Sequence, residues 1–207
     1  DYFSICSLFF LIGFIDDLKK NIKPIIRLSL MVLFLIILIQ YNDFYIQRTG
    51  IEILNNWLAD YKLFSLIFIC LCFLFIINGA NLIDGYNGLL SIHSFIILIN
   101  LLIINIFFNA DNSLINLLFF QSLVLLIFIF FNFPKAKVFL GDSGAYFLGA
   151  FTAISVIKTS LENPEISPFY FCILLFYLFF EVFFSFFRKL LKEKTSPIHP
   201  DKKHLHM

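Results

Sequence analysis

Long apolar runs fill this chain, and short polar stretches interrupt them at nearly regular intervals. Seven runs read as membrane spans: residues 2–15, 25–41, 63–77, 89–108, 113–133, 145–157 and 169–187. A helix needs about 20 apolar residues, within a range of about 17 to 25, to cross the hydrocarbon layer. The run 63–77 can extend into the polar stretch behind it. Residues 109–112, NADN, leave room only for a tight helical hairpin. The run 145–157 is the weakest, and its Gly149 and other small residues predict burial against neighbouring helices. The pattern predicts an all-α polytopic membrane protein of about seven transmembrane helices, forming a single membrane-embedded domain over residues 1–207. The first run is already under way at its start, and the pattern does not stop at His204-Leu-His-Met207. We therefore expect a piece of a longer polypeptide.

The loops between the runs fall on alternate sides of the membrane. One side receives residues 16–23, 78–88, 132–144 and 188–207, and the other receives 42–62, 109–112 and 158–168. Counting Arg27 with its adjacent loop, the first side holds twelve basic residues: Lys19, Lys20, Lys23, Arg27, Lys135, Lys137, Arg188, Lys189, Lys192, Lys194, Lys202 and Lys203. The second holds three: Arg48, Lys62 and Lys158. Basic loops stay in the cytoplasm, so the first side is expected to face it.

Composition agrees with a membrane protein. The chain is 60% hydrophobic with a mean hydropathy of +0.93, against 14% charged residues. A net charge of +1 argues against a nucleic-acid binder. Cys6, Cys70, Cys72 and Cys172 all sit in apolar runs and read as small hydrophobes, with neither a disulfide framework nor a zinc site. His93, isolated in a span, reads as a packed core histidine.

The polar stretches on the basic side carry the chemistry. Residues 78–88 read NGANLIDGYNG, with Asn78, Asn81 and Asn87 around Asp84 and with glycines that let backbone approach a ligand. On a helix Asn81 and Asp84 share a face, suited to hydrogen bonding a sugar or a base edge. The first run ends as GFIDDLKK. Adjacent Asp16 and Asp17 repel unless cations are near, so the pair reads either as an interfacial flank or as a metal and phosphate site. Residues 132–144 read NFPKAKVFLGDSG, where Pro134 stops a helix and Asp142 either caps the next one or binds a metal. The amides at that helix start could hold an anion. Glu181 lies inside the last run, where a carboxylate costs about 2.5 to 3.5 kcal/mol, so it is expected to face other helices. The tail SPIHPDKKHLHM gathers His199, Asp201, His204 and His206.

With these clusters in this order, the chain resembles the polyprenyl-phosphate N-acetylhexosamine-1-phosphate transferases. GFIDDLKK, NGANLIDGYNGL, NFPKAKVFLGDSG and SPIHPDKKHLHM each look like a signature of that family, with matching topology across essentially the whole chain. The tail is closer to the WecA branch than to the MraY branch, which carries a run of adjacent histidines there. Asn87 stands where many members have Asp, so a charged role is not available at that position.

The resemblance implies transfer of an N-acetylhexosamine-1-phosphate from a UDP-sugar to undecaprenyl phosphate, with release of UMP, as the first step of a cell-surface glycan. The sugar implied is N-acetylglucosamine. It implies a magnesium cofactor, with manganese as the alternative, on Asp142 and Asp17, and a catalytic set of Asp16, Asp17 and Asp142. Asn81, Asp84, Asn87, Asn132, His204 and His206 would contact substrate. The setting implied is a bacterial inner membrane with the site facing the cytoplasm, and a homodimer is left open. Two other classes fit the sequence less well. A transporter should carry charges near mid-membrane on several spans, and only Glu181 lies there. A metal-dependent prenyltransferase of the UbiA kind needs DxxxD in two loops, which the sequence lacks.

Overall fold

The computed structural model describes residues 2–19, 23–46 and 48–193, and every regular element among them is helical. In chain order these are α1 (Tyr2–Lys19), α2 (Pro24–Asn42), α3 (Glu52–Asp60), α4 (Lys62–Ile83), α5 (Leu89–Phe107), α6 (Asn112–Asn132), α7 (Gly141–Glu162), α8 (Pro168–Leu174) and α9 (Phe176–Phe187). A π-helical turn, Arg188–Glu193, follows α9.

Among the described residues, five helices, α2 and α4 to α7, are long and apolar enough to cross a membrane. The apolar run 169–187 is not one straight helix but α8 and α9, bent by 62° at Leu175, a pair that adds a sixth span if it crosses as one and otherwise re-enters. The first run forms the 18-residue α1, whose last turn carries Asp16, Asp17 and Lys19. The loop 42–62 contains an element the apolar pattern did not reveal, the short helix α3. Its Leu58 is buried while Ile53 and Trp57 are exposed.

The weakest run in the sequence is the centre of the bundle. Helix α7 packs against α1, α4 and α5, and is the most buried of the spans. Low hydropathy and deep burial have one cause. Between membrane helices there is little hydrophobic drive, because lipid tails are as apolar as leucine, so close packing of small residues holds them together. Ala145, Gly149, Ala150 and Ala153 are such residues, and a Cβ on Gly149 would lie 2.7 Å from the Ile77 Cα of α4. The outer helix α6 does the opposite, exposing Phe120, Val124, Ile127, Phe130 and Phe131 at helical spacing toward the lipid.

The two ends of the bundle differ. At one, helices α5 and α7 are tied by a buried polar clamp. The Asn105 amide donates to Thr159 Oγ1 at 2.8 Å, and the Asn163 amide donates to Asn105 Oδ1 at 3.1 Å. At the same end Lys158 lies over the rings of Tyr2 and Phe44, at 5.2 and 5.8 Å from their centroids. The ends of α1, α4 and α6 and the starts of α2, α5 and α7 meet at the opposite end. Glu181 is fully buried on α9, as an intramembrane carboxylate should be, and His93 meets Tyr177 edge-on at 5.5 Å.

The α4–α7 contact leaves no space for a side chain at its crossing. Gly149→Ala is expected to destabilise the fold by about 1–3 kcal/mol, the usual cost of overpacking a core. The measurement is thermal unfolding in detergent, read as a lower Tm than wild type.

Candidate active site

Six helix ends converge on a patch of carboxylates and amides. Helix α7 begins at Gly141 with φ +65°, a backbone angle that glycine accepts without strain. This turn aims the first amides of α7 at α1, where Asp17 receives them. The Asp142 N–H donates to Asp17 Oδ1 at 3.0 Å and the Ser143 N–H donates to Asp17 Oδ2 at 3.1 Å. Both oxygens of Asp17 therefore satisfy amides that have no partner within their own helix. Such an approach needs the two backbones in contact. Gly13 provides it: a Cβ there would lie 2.5 Å from the Asp142 carbonyl oxygen and from the Ser143 nitrogen.

Asp142 then sits between α4 and α2. Its Oδ1 accepts from the Asn81 amide at 2.6 Å, and its Oδ2 lies 3.8 Å from the Arg27 guanidinium. Arg27 also forms an ion pair with Asp16, and its guanidinium lies 5.7 Å from the Tyr146 ring centroid. The arginine is thus held by a carboxylate, an aromatic face and a more distant second carboxylate. Asp84, at the C-terminal end of α4, completes the patch. Burial pushes its carboxyl up to about 7, and the negative charges of Asp142 and Asp17 add to the shift. The patch has more negative charge than Arg27 balances, which is the electrostatic condition a cation would relieve.

The donor set fits magnesium better than a caged metal. Among the described residues no three His, Cys, Asp or Glu side chains converge closely enough to enclose an ion. Magnesium keeps several waters and takes one or two carboxylates together with substrate phosphates, so the Asp142 carboxylate beside Asn81 suffices for it.

Asp16, Asp17, Asn81, Asp84 and Asp142 come together. Asn132 and Asn87 lie in the flanking wall. Asn132 is buried, and its Oδ1 accepts from the Gly88 N–H at 2.6 Å while its amide donates to the Val138 carbonyl at 2.8 Å. It clasps the loop before α5 to the loop before α7, with Gly88 at φ +79° opening the turn. Exposed Asn87 donates to the Pro134 carbonyl at 3.4 Å. His204 and His206, with His199 and Asp201, lie outside the described residues. Helix α4 runs on to Ile83, so Asn78 and Asn81 stand on its last turns rather than in a loop. Asn78 donates back to the Leu74 carbonyl at 2.8 Å, within its own helix. The residue that the motifs missed is Arg27. It entered only a count of charges, yet a cation one turn inside an otherwise apolar span is itself a signal, because it needs a partner there.

The family model described as glycosyl transferase family 4 matches residues 2–160. The chain is 32% identical over 202 residues to the phospho-N-acetylmuramoyl-pentapeptide-transferase of Dictyoglomus turgidum, covering 93% of this chain and 63% of that protein. It is 34% identical over 140 residues to the undecaprenyl-phosphate alpha-N-acetylglucosaminyl 1-phosphate transferase of Thermotoga maritima, covering 68% of this chain and 41% of that one. A phospho-N-acetylmuramoyl-pentapeptide-transferase of Prochlorococcus marinus subsp. pastoris is 34% identical over 170 residues, covering 73% and 45%. The chain therefore spans between 41% and 63% of the length of these relatives.

Two measurements probe the patch without any substrate. Asn132→Ala leaves the Gly88 N–H and the Val138 carbonyl without their side-chain partners, and is expected to cost about 1–3 kcal/mol of stability, read by thermal unfolding. For Asp84 the folded carboxyl titrates near 7 and the unfolded one near 3.8. The folded state holds the proton more tightly, so stability falls as pH rises between those values. Asp84→Asn in metal-free protein should therefore raise Tm at pH 8 and give a shrinking gain toward pH 5. A gain that does not depend on pH would contradict this.

Proposed function

Because the chain belongs to glycosyl transferase family 4, we propose that the protein transfers an N-acetylhexosamine-1-phosphate from a UDP-sugar to undecaprenyl phosphate and releases UMP. The observation that carries this reading is the meeting of Asp16, Asp17, Arg27, Asn81, Asp84 and Asp142 at one end of a membrane bundle. A water-soluble nucleotide and a lipid phosphate can meet only at such a boundary. The excess of basic residues on this side supports a cytoplasmic orientation in a bacterial inner membrane.

The reaction brings anionic phosphates together, so charge is the first obstacle. Magnesium, or manganese in its place, would neutralise the pyrophosphate and polarise it, with Asp142 and one carboxylate of the 16–17 pair as its protein ligands. Arg27 offers a guanidinium of the shape that pairs with phosphate oxygens, and its grip on Asp16 and Tyr146 fixes where it points. An oxygen of the lipid phosphate would attack the phosphorus that bears the sugar, forming a new P–O bond as the bridging P–O bond of the pyrophosphate breaks and UMP leaves with the bridging oxygen. This nucleophile needs little help from a strong base, since a phosphate monoester has a second pKa of about 6. A carboxylate of the 16–17 pair would take any remaining proton. Asn81 and Asp84 would bind the nucleotide-sugar, and Asn87 and Asn132 shape the wall beside it. His204 and His206 would contact phosphate or sugar.

The names of the relatives differ in the group moved, a phospho-N-acetylmuramoyl-pentapeptide in two and an N-acetylglucosaminyl 1-phosphate in the other. We favour N-acetylglucosamine, in a first step of surface-glycan assembly, because the tail motif is of the WecA kind. Full-length protein in membranes, given undecaprenyl phosphate and a panel of UDP-sugars, is expected to release UMP most rapidly from UDP-N-acetylglucosamine. Faster release from UDP-N-acetylmuramoyl-pentapeptide would reassign the donor, and no release from any member of the panel would remove the proposal. Asp142→Asn should reduce transfer to background while the protein still reaches the membrane. Asp16→Asn should lower the rate by orders of magnitude.

A further inference from the structure

The two adjacent aspartates are not equivalent. Asp16 turns toward α2 and pairs with Arg27, whereas Asp17 turns toward α7 and accepts the Asp142 and Ser143 amides through both of its oxygens. We infer that Asp17 is a positioning residue. Its carboxylate caps helix α7 from the neighbouring helix and so fixes the direction in which Asp142 presents its own carboxylate. The inference rests on the transfer reading above and narrows it, because it takes Asp17 out of the choice for metal ligand or proton acceptor and leaves Asp16.

Three observations support it. Helix α7 has no side-chain cap of its own: Leu140 stands at the N-cap position, where Ser, Thr, Asp or Asn would ordinarily supply an oxygen. The first turn of α7 therefore borrows its cap from another helix, and a negative charge there also complements the helix dipole. Next, the glycines keep the borrowed cap within reach. A Cβ on Gly141 would lie 2.9 Å from Asp17 Oδ2, and one on Gly13 would strike the backbone of Asp142 and Ser143. Finally, the capped amide of Asp142 belongs to the residue whose carboxylate meets Asn81 and faces Arg27. A shift of that backbone moves the carboxylate with it.

The alternatives predict opposite signs. Removing charge from a cluster of like-charged ligands relieves repulsion in metal-free protein, whereas removing a cap loosens a helix start. In full-length protein held in EDTA, Asp17→Ala is expected to lower Tm by about 2–4 °C, as for a lost helix cap in a domain of this size. In the transfer assay it should raise the magnesium concentration for half-maximal rate by about 10- to 100-fold, the scale seen when a residue orienting a metal ligand is lost. The KM for the UDP-sugar should stay within about twofold, because uniform binding is untouched. The acid limb of the pH–rate profile should keep its midpoint. An unchanged or raised Tm in EDTA, or loss of the acid limb, would overturn the inference.

Wild-type protein gives a second reading that does not depend on the variant folding. Amide hydrogen exchange across residues 138–146 should be slow at Asp142 and Ser143 in EDTA as well as in magnesium. Exchange at the rate of an open loop in EDTA would also overturn the inference. Both EDTA measurements stand whether or not UMP is released, so failure of the transfer reading is distinguishable from failure of this one.

Discussion

Everything at the polar end of this bundle depends on how closely α1 and α7 approach each other. The contact is backbone to backbone at Gly13, and it is closed by two hydrogen bonds from the start of α7 to a carboxylate on α1. The first amides of any helix have no partner within it and must find one outside. The cap from Asp17 therefore settles packing and polarity together. Once α7 is placed, Asp142 falls beside Asn81 of α4 and opposite Arg27 of α2, and the rest of the patch follows from helices that had to end there in any case.

Charge governs that patch. Asp16, Asp17, Asp84 and Asp142 share the patch with Arg27, which reaches only Asp16 and Asp142, and the four carboxylates meet the imbalance in different ways. Asp16 takes the arginine. Asp17 is neutralised in part by helix amides. Asp84 holds a proton to about pH 7. Asp142 has a neutral amide and a more distant cation, which leaves it the carboxylate with most to gain from an additional positive charge. One acidic residue type thus serves four electrostatic settings within one cluster, each set by what the neighbouring helix offers.

Much of this was legible in the sequence. Alternating loops placed residues 16–17, 78–88 and 132–144 at one end, and the structure brings Asp16, Asp17, Asn81, Asp84 and Asp142 together there. The small residues of 145–157 announced burial, and Glu181 announced a helix that faces inward. What stayed hidden was relational. Arg27 looked like one more basic residue of a cytoplasmic flank, because only the fold shows that it stands between Asp16 and Asp142. Asn132 looked like a substrate contact, and only the fold shows that it also joins two loops. The helix α3 was concealed by length, since nine residues between two spans give too little periodicity to separate from a loop. The bend at Leu175 had no Pro or Gly to mark it.

The clamp of Asn105, Thr159 and Asn163 has a mechanical meaning. It pins α7 to α5 at the end farthest from Asp142, and so supplies a fulcrum for any tilt of that helix. From Thr159 to Asp142 is 17 residues, an arm of roughly 25 Å at 1.5 Å per residue. A tilt of about 2° about that fulcrum carries the tip by roughly 1 Å, a displacement on the scale that costs about a hundredfold in rate when reacting groups are misplaced. Asn105, Thr159 and Asn163 at one end of α7 and the Asp17 hydrogen bonds at the other thus oppose the same tilt.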